Sequence, residues 1–337
     1  MVRRPILPAA CPDAVPGGPG DGAATAGRTE GPVIPGLAAS PAFDLTLRHP
    51  SEIPVLIAVP HAGRSYPPAL VERMRHPSLA ALRLEDRQVD ALARAVAAAT
   101  GASLLVAHAP RAMIDLNRAA DDIDWDMVTA TGPSASLSAT PRPSPSRRVR
   151  SGLGLVPRRL PGVGELWRRR IDADDLARRI AQVHEPYHAA LAGELARLRS
   201  RWGVALLIDL HSMPPLEPAG GQPGPTFVLG DRFGSTCSGA LIASAFEWFG
   251  RAGAAAAHNR PYAGGYVLER HADPAQGLHG FQLEIDRARY LDSRLAELGP
   301  GFEPMVRLLT GLVTRLAEDV AALRGTDRTD RWREAAE

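Results

Sequence analysis

The 337-residue chain contains no lysine; all 39 of its basic residues are arginine. That excludes a lysine nucleophile, a Schiff base and the lysine of a phosphate-binding loop. Cysteine is nearly as scarce: Cys11 and Cys237 are too few for a disulfide scaffold or a cysteine-based zinc site. Aromatic residues make up 5%, so Leu, Val, Ile and Ala must build most of the core. No apolar run approaches the roughly 18 residues that a membrane span requires. The formal charge is only +2, which leaves no electrostatic footprint for nucleic acid. Neither a membrane nor a nucleic acid is therefore expected as a partner.

Glycine and proline, 32 and 31 residues, gather in clusters that mark segments outside the core. Residues 1–40 are rich in Pro, Gly and Ala without periodicity and read as a disordered tail. Arg3 and Arg4 resemble the basic start of an export signal, but Pro8, Pro12 and Pro16 interrupt the apolar stretch, so a cytoplasmic address is expected. Removing residues 1–38 is expected to leave stability nearly unchanged. A second such segment, at about 131–164 with PRPSPSRR at its centre, reads as a surface insertion, and residues 326–337 as a charged tail. The remainder, 41–325, reads as a single α/β domain.

Within it, IPVLIAVP (53–60), SLLVAHA (103–109) and VALLIDL (204–210) are apolar throughout and of strand length, with a further strand at 226–229. They alternate with helical patterns at about 85–100, 172–202, 240–249 and 305–323. Strands apolar on both faces and alternating with helices imply a mostly parallel sheet covered on both sides. FQLEID (281–286) alternates instead, with Phe281, Leu283 and Ile285 on one face and Gln282, Glu284 and Asp286 on the other.

Ligands of such sheets bind beyond the carboxyl ends of the strands. His61 follows IPVLIAVP directly and His211 follows VALLIDL directly, each leading into a Gly- or Pro-containing loop. Two neutral imidazoles and a carboxylate make a three-ligand site suited to zinc, with one position left for water. Glu85 and Asp86, in RLEDRQVD, are the candidate carboxylates. One acid on the polar face of 281–286 is placed to act as general base, and spacing alone does not choose among the three polar residues there. PRAMIDLNR adds Arg111, Asn117 and Arg118, groups that can clamp a carboxylate. The run His184-Glu185-Pro186-Tyr187-His188 fits the H-E-x-x-H zinc pattern, but Pro186 inside it costs about 3 kcal/mol in a helix interior. Pro186 is tolerable only if a helix begins there, and His184 would then precede that helix and lose its i, i+4 registration with His188, so the two are not expected to be the metal pair.

The blocks IAVPHAGRSYP, LEDRQVDAL, APRAMIDLNR, EPYHAAL, LLIDLHSMPP, FVLGDRFGSTCS, NRPYAGGYVLERH and FQLEIDRARYLD, in order from about 53 to 292, resemble the N-formylglutamate amidohydrolase family. The resemblance implies a zinc-carboxypeptidase-like fold, shared with succinylglutamate desuccinylases: three αβα layers on a mostly parallel mixed sheet. It also implies a Zn2+ cofactor held by His61, Asp86 and His211. In the relatives a metal carboxylate follows the first His by three positions; Arg64 stands there here, so the role passes to Asp86 of the D-x-x-V-D block. By the same resemblance Glu284 is the base, while Arg111, Asn117, Arg118 and Arg270 bind substrate. The EPYH run becomes a family element rather than a zinc motif. The chain departs from the pattern at Asp86-Arg87-Gln88-Val89-Asp90, which lacks the Trp and His of the D-W-H-V-D form, and in its longer stretch around 141–157.

The implied activity is release of formate from N-formyl-L-glutamate or a close N-acyl acidic amino acid, in the setting of histidine degradation. The implied partner is that small molecule, with the protein a monomer or small homo-oligomer. A related zinc carboxypeptidase or amidase on a larger substrate, and a catalytically silent binding protein of the same fold, are the competing expectations.

Overall fold

The continuous apolar runs are strands buried on both faces. The computed structural model describes residues 25–129, 146–218 and 224–334, with side chains to residue 323. Its strands are β1 (Thr25–Glu30), β2 (Phe43–His49), β3 (Val55–Val59), β4 (Ser103–Ala107), β5 (Val128–Thr129), β6 (Arg159–Leu160), β7 (Gly164–Glu165), β8 (Ile171–Asp172), β9 (Ala205–Met213), β10 (Phe227–Gly230), β11 (Ala256–His258) and β12 (Leu278–Asp286). Its helices are α1 (Pro68–Arg73), α2 (Pro77–Leu84), α3 (Val89–Thr100), α4 (Arg147–Arg150), α5 (Ala173–Arg179), α6 (Glu185–Trp202), α7 (Gly239–Arg251), α8 (Tyr266–His271) and α9 (Phe302–Glu334).

Eight strands form one mixed sheet in the order β1-β2-β4-β3-β9-β12-β10-β11. The four central strands, β4, β3, β9 and β12, run parallel, as covered strands do. Residues alternate between two apolar layers. Val55, Ile57 and Val59 of β3 pack with α3, α7 and α9, whereas Leu56 and Ala58 pack with α1, α2, α6 and α8. The result is the expected three-layer αβα fold.

Parallel pairing sets His211 of β9 opposite Glu284 of β12, and Ala58 of β3 opposite Asp209 of β9. Three adjacent strands therefore deliver His61, His211 and Glu284 to one end of the sheet. On β12, Phe281, Leu283 and Ile285 enter the core with α9, as their alternation predicts.

Several boundaries differ from the sequence reading. No helix starts at Glu85: α2 ends at Leu84, Gln88 takes a left-handed conformation (φ 58°), and α3 starts at Val89. Glu85 and Asp86 occupy the break between the two helices. At Pro186 the chain does not stop, because a single π-turn over Ile180–His184 joins α5 to α6 and puts Pro186 in the first turn of α6. A proline there needs no partner for its missing N–H.

The tail read as residues 1–40 is shorter on the ordered side. Residues 1–24 lie outside the described residues, but β1 pairs with β2 and Ile34 is fully buried. β1 escaped periodicity because it is polar on both faces and is held by its backbone ladder. Of the insertion read at 131–164, only 131–145 lie outside the described residues; 146–164 carries α4, β6 and β7. The tail read from 326 continues α9 as far as Glu334.

Ile34 joins Phe43, Leu45 and Leu56 in one core cluster, so the expectation that residues 1–38 are dispensable is withdrawn. Ile34→Ala should destabilise the protein by about 2–5 kcal/mol, the usual cost of emptying a buried aliphatic site. Urea denaturation measures it; a change below about 0.5 kcal/mol would show that this segment does not pack.

Candidate active site

His61 leaves the end of β3 buried, and its Asp86-facing atom is Nδ1, 3.7 Å from Asp86 Oδ2. Its other nitrogen, Nε2, lies 2.7 Å from Asp115 Oδ1. His211 repeats the arrangement: Nδ1 is 3.0 Å from Asp86 Oδ2, and Nε2 is 3.0 Å from Asp209 Oδ2. The two rings sit 4.7 Å apart. Each imidazole thus turns one nitrogen to a shared carboxylate and the other to a buried carboxylate behind it. Metal-binding histidines are held in this way, with the outer carboxylate fixing the tautomer.

One ligand atom from each of His61, Asp86 and His211 can be chosen so that all lie within 4.8 Å of one another. Asp86 reaches this position because its own N–H is held by the His61 carbonyl at 2.9 Å, just before the left-handed Gln88. Its neighbour Glu85 turns away and accepts from Arg87 at 3.0 Å. Burial opposes the charge of Asp86, but the adjacent His211 and His61 hold its carboxyl well below the usual range. Burial also opposes a charge on His211, yet Asp209, Asp86 and Glu284 push it well above the ordinary histidine value. The carboxylates around this imidazole call for a cation, and a divalent ion would displace the proton.

Glu284 is buried beside this cluster, and burial pushes its carboxyl up to about 7. Gln282 Nε2 donates to its Oε1 at 2.8 Å, fixing its orientation. Asp286, third on that polar face, instead accepts from the Ala288 N–H at 2.9 Å and caps the following turn. Geometry separates the three residues that spacing could not.

A cavity of about 260 Å³ opens onto the cluster, lined by His61, Asp86, His211, Gln282 and Glu284 and by Arg83, Arg111, Arg118, Arg148 and Arg287. Arg111 donates to Asp115 at 2.9 Å. Arg118 is buried, donating through Nη1 to the Asn117 carbonyl at 2.6 Å and through Nε to the Leu153 carbonyl at 3.0 Å. Asn117 lines the wall, with its amide already engaged: Nδ2 donates to Gln282 at 3.1 Å and Oδ1 accepts from Val267 at 2.9 Å. Gly265 permits that approach, since a Cβ there would collide with the Asn117 amide.

Arg270 does not join them. It is exposed on α8, donates to the Tyr266 hydroxyl at 2.9 Å and stands outside the cavity lining. His184 and His188 are likewise elsewhere. The π-turn keeps their rings close, 4.4 Å apart, but His184 bonds the Arg118 carbonyl at 2.8 Å and His188 meets His271 at 2.9 Å. Burial pushes His188 down to about 2 and His271 down to about 3, as for imidazoles kept neutral in a core.

Sequence reasoning missed Asp115, Asp209 and Arg287. Asp209 carried a usable signal, being an acid inside the apolar run VALLIDL, because a buried charge requires a partner. Asp115 has the same signature in RAMIDLNR. Arg287 donates to the Ser212 carbonyl at 3.1 Å and lies 3.6 Å from Asp86.

With this geometry in view, the chain matches the family model of N-formylglutamate amidohydrolases over residues 53–291. An N-formylglutamate deformylase of Pseudomonas aeruginosa is 33% identical over 250 residues, 72% of this chain and 84% of that one. Another, of Pseudomonas putida, is 30% identical over 254 residues with the same coverage. The crystal structure of an N-formylglutamate amidohydrolase from Ralstonia eutropha superposes with a TM-score of 0.74 at 32% identity, covering 84% of this chain and 99% of that one. A gene product of Agrobacterium tumefaciens, 16% identical with a TM-score of 0.55 over 82% and 93% of the two chains, shares the fold.

The paired carboxylates make a specific expectation. His61→Ala and His211→Ala should abolish tight divalent-metal binding, whereas His188→Ala should retain it. Asp115→Asn should weaken it by roughly 10- to 100-fold, the usual effect of losing the group behind a ligand. Metal analysis after dialysis decides this, and loss of metal in the His188 variant alone would refute the assignment.

Proposed function

The chain belongs to the N-formylglutamate amidohydrolase family, and from that premise we propose that it hydrolyses N-formyl-L-glutamate, or a close N-acyl acidic amino acid, to formate and the free amino acid. The observation that carries the reading is the meeting of His61, Asp86 and His211 with Glu284 in one arginine-lined cavity. Two imidazoles and a carboxylate, each backed or fixed by a second buried group, fit a divalent ion, and their nitrogen and oxygen donors suit zinc. Bound there, the ion would polarise the formyl carbonyl and acidify water.

The protein's own groups supply the rest. Glu284 takes a proton from the attacking water as the new C–O bond forms at the formyl carbon. When the C–N bond breaks, that proton passes to the departing amine, and the formic acid left behind releases water's second proton to become formate. A carboxyl raised to about 7 is suited to accept and return a proton near neutrality. Gln282 holds one carboxylate oxygen, leaving the other free for the water. Arg118 is fixed through two carbonyls and orients the substrate carboxylate, so binding is converted into alignment. Arg111 is close enough to feel Asp115, Asp86 and Glu284, and holds charge next to the reacting carbonyl.

One observation favours a second reading, a larger N-acyl substrate. A neighbouring cavity of about 770 Å³ shares Asn117, Arg118, Arg148, Gly264 and Gly265 with the first. Formate release and ninhydrin detection across N-formyl-glutamate, N-acetyl-glutamate and short N-acyl peptides separate the two. The first reading expects N-formyl-L-glutamate to give the highest kcat/KM.

Glu284→Gln keeps the shape and removes the basicity. It should retain metal and cost roughly 10²–10⁴ in kcat. The wild-type rate should rise with pH as the carboxyl ionises, with its acid limb at about 7 or below, because a cation beside Glu284 favours the charged form. That limb should be absent from the residual activity of the variant. A near-normal kcat in Glu284→Gln would assign the base elsewhere.

A further inference from the structure

The cavity holds more positive charge than its own carboxylates neutralise near Arg118. Arg111 has Asp115 as partner. Arg118 donates to carbonyls, with Asp115 Oδ2 no nearer than 3.9 Å. Arg148 lines the same cavity, and among the described residues no carboxylate or carbonyl pairs with its guanidinium. Burial lowers Arg118 to about 10; the charge of Asp115 counters that, and the charges of Arg111 and Arg148 add to it. Asp115 and, more weakly, Asp122 oppose these three guanidiniums, and among the described residues Arg148 itself has no carboxylate paired with it.

The backbone that carries Arg148 is fixed on this wall. Ser146 caps α4 by accepting the Val149 N–H at 3.1 Å, and Val149 is buried. The Arg148 carbonyl accepts from Leu153 N–H and from the Ser151 hydroxyl, both at 2.8 Å. Leu153 in turn accepts from Arg118, and Leu155 is stitched to Asp115 and Asp122 at 2.7 Å each. Position 148 is therefore tied to the segment that presents Arg118, while its side chain is exposed and, among the described residues, unpaired.

Resting on the proposed hydrolysis of an N-acyl acidic amino acid, we infer that Arg148 is a specificity-determining residue that binds the side-chain carboxylate of the substrate while Arg118 binds the other. The two carboxylates of a glutamate are only a few bonds apart, so their partners must be neighbours. Arg83, the other cavity arginine without a partner among the described residues, lines only this cavity, whereas Arg118 and Arg148 together line both it and the adjoining one. A stretch that reads as an insertion in the sequence would then select five-carbon diacids over monoacids.

The test compares kcat/KM for N-formyl-L-glutamate and the isosteric N-formyl-L-glutamine, which keeps the α-carboxylate but has an uncharged side chain, with binding of glutarate followed by calorimetry in parallel. Arg148→Ala should lower the glutamate-to-glutamine ratio by roughly 10- to 100-fold, the range for losing a hydrogen-bonded charge pair. Arg148→Lys should recover part of it, and Arg148→Glu should lower it further. Glutarate affinity should fall in the same order. An equal loss with both substrates, or a ratio moved by Arg83→Ala and not by Arg148→Ala, overturns the proposal. So does a wild-type protein that does not bind glutarate. If glutarate binding depends on Arg148 but no formate is released, the proposed reaction fails and the diacid site stands.

Discussion

Asp86 brings a buried carboxylate between two imidazoles, and the surrounding elements act to keep its charge there. An isolated buried carboxylate would simply take up a proton. Here β3 and β9 end side by side, so His61 and His211 approach it together, and Asp115 and Asp209 hold their outer nitrogens. The break between α2 and α3 lets Asp86 point inward while its N–H stays on the His61 carbonyl. Five side chains from four chain segments are then mutually dependent, a set that a cation would complete.

The same end of the sheet separates acids from arginines. The acids cluster where strands β9 and β12 end, and the arginines line the wall built by the segment 111–118, by α4 and by the turn after β12. Glu284 stands at the border. Burial and the acids near it raise its carboxyl, while His211 and Arg111 restrain the shift, which leaves it titrating close to neutrality. In the proposed reaction a base of that strength would need neither strong acid nor strong alkali to cycle its proton.

Much of this was legible in the residues because the sheet is covered on both faces. Apolar runs of strand length could be placed to within a few residues, and the last residue of each run pointed to His61 and His211. The alternation of 281–286 put Glu284 on the polar face, but choosing it over Gln282 and Asp286 needed the third dimension: only the structure shows Asp286 capping a turn and Gln282 bracing Glu284. Asp86 and Glu85 are adjacent in sequence and both buried, and only the structure shows that the break before α3 turns Asp86 to the two imidazoles and Glu85 to Arg87. β1 was invisible because a strand polar on both faces has no apolar period, and α4 because four residues are too short for one. Arg270 shares a block with residues that do reach the site, yet one turn of α8 carries it to the outer surface.

If one divalent ion held by His61, Asp86 and His211 supports hydrolysis of N-formyl-L-glutamate, activity must follow metal loading at that site. Titrating chelator-stripped protein with zinc while recording formate release from N-formyl-L-glutamate tests it most directly. Activity should be absent from the stripped protein and should rise linearly to a plateau at one equivalent of metal per chain. Full activity in the stripped protein, or metal uptake without formate release, would contradict the account.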